Sequence, residues 1–136
     1  MTKDIVGSFV AIPAGDKRLL AKVIFASSYF ANVIALKVYP GAIASEPPDL
    51  SNTEKGGFKV FYTSGKPVKS KRWPIVGKSD VSPDERELTR RTAGGEVWVE
   101  DQYLGPASEA DLASLPKMLV LGDKLVEKHA SGLLQP

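Results

Sequence analysis

The stretch KSKRWPIVGKSD, residues 69–80, sets Lys69, Lys71 and Arg72 beside Trp73. Cations next to an aromatic ring suit single-stranded nucleic acid, where ammonium and guanidinium groups neutralise phosphates and bases stack on the indole. The plainer reading makes Trp73 a core anchor with its charged neighbours in water, since a large ring in a short apolar segment has much area to bury. The rest of the chain offers few parts for catalysis. His129 is the single imidazole and falls near a C-terminal helix end, where it complements the helix dipole rather than serving a Ser-His-Asp arrangement. Asp84, Glu85 and Glu87 could share acid and base roles, but charges around Pro83 read as a solvated loop. With no cysteine there is no thiolate nucleophile and no zinc-thiolate centre. Neither a Walker pattern, G-x-G-x-x-G nor EF-hand spacing occurs, and Gly56-Gly57 and Gly94-Gly95 read as turns. No metal, cofactor or catalytic residue is expected.

These residues belong to a chain of 136 residues, the size of one ordinary domain, and a single domain over 1–136 is expected. Ten prolines and twelve glycines predict many turns rather than a long-helix bundle. The N-terminal apolar stretch is broken by Pro13 and Gly15 and does not read as a signal peptide, and no run of about 20 apolar residues could span a bilayer. A soluble, cytoplasmic protein is the expectation. The net charge of +2 is too small to imply a polyanion by itself, but its distribution is uneven. In residues 66–91 Lys and Arg outnumber Asp and Glu, whereas 92–116 hold Glu96, Glu100, Asp101, Glu109 and Asp111 with no Lys or Arg.

Alternation predicts strands over 6–12 and 19–26, joined as a hairpin, and a third over 33–39 with Ile34, Leu36 and Val38 toward the core and Lys22 toward water. A long irregular connection over 41–57 carries Glu46, Asp49 and Glu54. A fourth strand follows over 58–63. A fifth over 72–76 is demoted to an edge by Pro74, and a sixth covers 97–99 with an extension toward Tyr103. Ser108-Glu109-Ala110-Asp111 has capping-box spacing and starts a short helix, and 117–129 read as a second helix weakened by Gly122. Whether Tyr29, Phe30, Phe58, Phe61 and Tyr103 are core or contact stays open at this level. The fold class is mainly β (α+β), β-rich over 5–104 and helical over 108–130: a curved antiparallel sheet or partly open β-barrel with a C-terminal helical element.

The order VGSFVAIPAGDKRLLAKVIF, VIALKVYP and FKVFYTSGKPVKSKRWPIVGK resembles the immunity protein 26 family of bacterial polymorphic-toxin systems, over about residues 5 to 80. The resemblance implies a non-catalytic cytoplasmic antidote that binds a cognate toxin domain and blocks it. Gly7, Phe9, Pro13, Trp73, Pro74 and Gly77, which match the pattern, are then structural. The expected contact surface is acidic: Glu96, Glu100, Asp101, Glu109 and Asp111, with Glu46, Asp49 and Glu54 of the long connection. The alternative is a small β-barrel nucleic-acid-binding module using Lys69, Lys71, Arg72 and Trp73.

Overall fold

The structure, a computed structural model, describes residues 2–30, 32–43 and 57–133. A 3-10 turn at Thr2–Ile5 leads into β1 (Ser8–Ala14), which pairs antiparallel with β2 (Lys17–Ala26) across the two-residue turn Gly15-Asp16. Gly15 takes φ +67, the left-handed conformation such a tight hairpin needs. β3 (Val33–Ala42) pairs with β2, and β4 (Lys59–Ser64) pairs with β3. After a single helical turn, α1 (Lys66–Lys69), β5 (Ile75–Lys78) returns to the free side of β1. The short α2 (Pro83–Glu87) then precedes a second sheet of β6 (Arg91–Ala93), β7 (Glu96–Val99) and β8 (Gln102–Pro106). α3 (Glu109–Ser114), the two-residue β9 (Val120–Leu121) and α4 (Asp123–Gly132) complete the described chain. Strand order in the large sheet is β5-β1-β2-β3-β4-β9, so its edges do not meet: it is a curved sheet, not a closed barrel. It is antiparallel except for β9, which lies parallel to β4.

The large sheet is buried on both faces. On one face Val10, Ile12, Leu19, Val23, Ile34, Leu36 and Val38 pack under Trp73, Val68 of α1, and Val126 and Ala130 of α4. On the other, Ile24, Phe25, Val33, Ala35 and Tyr62 pack with Leu88 and Met118. A bulge between Val23 and Phe25 puts Ile24 and Phe25 in the same cluster, which strict alternation would forbid. Lys22 is a correction to the expected water-facing lysine. It is buried, directly opposite Lys37 in the β2–β3 register, and both ammonium groups meet Glu85, at 2.8 and 3.3 Å.

Four other expectations change. The fifth strand starts at Ile75 rather than residue 72, because Arg72 and Trp73 follow the helical turn and the Trp73 amide bonds back to the Pro67 carbonyl. Tyr103 belongs to a separate strand, β8, beyond a two-residue turn at Glu100-Asp101. The last helix starts at Asp123, with Gly122 as its cap rather than an interior weakness; residues 117–121 go instead to a bridge between Lys117 and Thr92 and to β9. The last helix also runs on to Gly132, past residue 130 where the helical region was expected to end. Glu46, Asp49 and Glu54 lie outside the described residues. Among the described residues no helix is long and apolar enough to cross a membrane.

Candidate functional site

The small sheet carries the acidic residues, and its hairpin turn is built with unusual support. Glu100 holds φ +53, which a glycine or asparagine would adopt more easily. Two contacts from β6 and its approach stabilise it: the Glu100 amide donates to the Thr89 hydroxyl at 2.8 Å, and the Glu100 carbonyl accepts from the Arg91 guanidinium at 2.6 Å. Arg91 is fully buried and lies over the rings of Phe25, Phe30 and Tyr62, 5.4 to 5.9 Å from their centroids. Burial pulls its pKa below the usual value, against the opposing pull of Tyr62, Asp101 and Glu100. Burial likewise pushes the Tyr62 phenol up to about 12, partly countered by Arg91.

Asp101 ties this turn to the loop between β2 and β3. Its carboxylate accepts the Ser27 hydroxyl and, at 2.7 Å, the Ser28 amide, while the Ser27 oxygen accepts the Tyr29 and Phe30 amides. The loop is thereby folded against the hairpin and sets its two rings on Trp98. Trp98 sits centrally, with ring centroids of Tyr29, Phe30 and Tyr103 at 5.0, 5.7 and 5.4 Å. Tyr29 is 66% exposed and Tyr103 49%, and neighbouring Leu104 is exposed as well. Such a surface is enriched for binding chemistry: large, rigid aromatic area at low conformational cost.

The acidic residues occupy both ends of this aromatic surface. Glu100 is at the turn, within 3.6 Å of Arg86. Glu96 starts β7, about 13 Å away at the rise of an extended strand, with its carboxylate 3.5 Å from the Tyr103 hydroxyl. The Ala107 amide bonds to the Gly95 carbonyl and so leads the chain from Glu96 toward α3, where Glu109 is exposed and Asp111 accepts the Ser108 amide in the predicted capping box. Asp101 and Asp111 therefore spend their carboxylates on internal hydrogen bonds; Glu100 is half-exposed beside Arg86, Glu96 half-exposed beside the Tyr103 hydroxyl, and Glu109 exposed. Beside the turn, Phe25, Ala26, Val81, Val99 and Gln102 line a cleft of about 430 Å³ with the Arg86–Glu100 pair at its rim.

The basic stretch is arranged differently from a base-stacking face. Trp73 is fully buried, and its indole N–H donates to Glu127 of α4 at 2.8 Å. Arg72 pairs with the same Glu127 through two nitrogens, at 2.7 and 3.0 Å, and with Asp123 at 2.8 Å. Of the four residues considered for nucleic acid, only Lys69 and Lys71 project freely. The core-anchor reading of Trp73 is the one the structure bears out.

Glu85 was missed as a buried residue, although Ser82-Pro-Asp-Glu has the capping-box spacing that signals it. Burial opposes its charge, but hydrogen bonds from Lys22, the Ser82 amide and Lys37 outweigh that and hold its carboxyl below the ordinary range. Lys37 is pushed the other way: burial lowers its pKa, and Tyr39 and Glu85 raise it by more. The cluster pins α2 to the sheet. Trp98 was also missed as the centre of the aromatic group; its place in an alternating E-V-W-V strand was the available signal.

No family model matches the sequence, and no curated protein or solved structure matches it either.

Proposed function

We propose that the chain is a non-catalytic, cytoplasmic immunity protein that binds a cognate bacterial toxin domain and blocks it. The observation that carries this reading is the pair of exposed rings Tyr29 and Tyr103 packed on the buried Trp98, with the Tyr29 loop tied down by the Asp101–Ser28 bond and Glu96 and Glu100 beside it. Preorganised aromatic anchors with acidic neighbours suit a partner that presents basic residues: the rings supply desolvated contact area, and the carboxylates orient the approach. The sequence resemblance over residues 5 to 80 supports the same role. The test is a pull-down of the tagged chain against the toxin-like domain encoded next to it, with growth rescue on co-expression. Binding with rescue is the expected outcome; a domain that stays toxic and unbound would reject the antidote role.

A further inference from the structure

We propose a second binding surface, a groove for an acidic peptide segment with an aliphatic anchor, built where α1 meets β5. Ile5, Val68, Pro74 and Ile75 form the apolar lining of a groove of about 500 Å³, and Lys69 and Lys71 stand on its rim. Ile5 and Val68 are buried floor, whereas Ile75 is 52% exposed on an edge strand of the large sheet. An aliphatic side chain is the group that such a floor removes from water at a gain.

The rim decides the charge of the occupant. Arg72, next to Lys71 and facing α4, is already neutralised by Glu127 and Asp123. Lys69 and Lys71 are both exposed and point no ammonium group at a carboxylate among the described residues. Lys71 is held in a left-handed conformation, φ +68, by its amide's bond to the Val68 carbonyl, which fixes its backbone at the groove's edge. Asp4 lines the groove as well, so a peptide's carboxylates are favoured at the lysine side only.

A nucleic acid fits these features less well. The groove is lined by no aromatic ring for a base to stack on, and its floor of Ile5 and Val68 is aliphatic. The occupant is also opposite in charge to the partner proposed for the aromatic hairpin, so the two surfaces are independent.

The test uses fluorescence anisotropy with three labelled probes: the peptide EEDLDEE, the same peptide with serine for leucine, and a twelve-nucleotide oligothymidine. Saturable binding of the leucine peptide is expected, weakened about tenfold by Lys69→Glu with Lys71→Glu and by a similar factor in the serine peptide, with the oligonucleotide the weaker ligand. Because both lysines are exposed, the double variant should keep the wild-type thermal transition, which separates lost binding from lost folding. Absence of saturable peptide binding, indifference to the double variant, or tighter binding of the oligonucleotide would each overturn the proposal.

Discussion

The Asp101 carboxylate accepts the Ser28 amide at 2.7 Å, joining the tip of the second sheet to a loop of the first across 73 residues of sequence. That bond makes Asp101 a fastener, while Glu100, its neighbour, stands half-exposed beside Arg86. Replacing Asp101 with alanine should cost about 1.5–3 kcal/mol in denaturant-induced unfolding, the range for hydrogen bonds to a charged group. Amide exchange at Tyr29 and Phe30 should speed up with it. Unchanged exchange there would mean that the loop is held by something else.

Charge reversal separates steering from structure. Glu96→Lys and Glu109→Lys should slow association with the toxin domain, and the effect should shrink as salt rises, because solvent-accessible charges act mainly on encounter. Stopped-flow rates at two ionic strengths check this. Asp101→Lys is a poor probe of steering, since it breaks the Ser27 and Ser28 contacts too.

Glu85 is the counter-charge of two buried lysines. Its loss in Glu85→Ala leaves Lys22 and Lys37 opposite one another with no carboxylate between them, and should destabilise the fold by about 3–5 kcal/mol. Replacing all three with apolar residues of similar volume should recover much of that. Chemical denaturation of the single and triple variants measures both.

The same residue sets an acid limit. The folded-state pKa of Glu85 lies below its ordinary value of 4.5, so its contribution to stability is present above that pH and is lost as pH falls through the folded value. Glu85→Gln should flatten this part of the stability profile below about pH 4.5 relative to the wild type. A profile of the same slope in both proteins would assign acid unfolding to other carboxylates.

Gly7 combines φ +89 with a close approach: a Cβ there would lie 2.5 Å from the Ser79 carbonyl oxygen, whose own amide bonds to the Gly7 carbonyl. Gly7→Ala should therefore cost about 1–3 kcal/mol and loosen β5 from β1. Calorimetry of that variant checks the size.

Much of the fold was legible because local rules agreed with it. Gly-Asp between two apolar runs signalled the first hairpin, Pro74 signalled an edge, and Ser108 with Asp111 signalled a helix start. Alternation in 33–39 picked Ile34, Leu36 and Val38 correctly as core, but it could not show that the opposite face is covered too, since that depends on α2 and the second sheet arriving from far along the chain. The same limit hid Lys22. An exposed-looking lysine becomes a buried one only when Glu85 lies over it, 63 residues away. For the site, the acidic segment was visible as composition. The division of labour within it was not: Asp101 and Asp111 are consumed by Ser28 and Ser108, and the rings that make the surface come from two separate segments.

The most direct measurement is the affinity of the toxin domain for the wild type and for the paired variant Tyr29→Ala with Tyr103→Ala, by calorimetry. Both side chains are exposed, so folding should survive, and removal of anchor aromatics predicts a loss of about 2 kcal/mol or more, roughly 30-fold in Kd. Tight binding that the paired variant leaves unchanged would contradict the account of where this protein meets its partner.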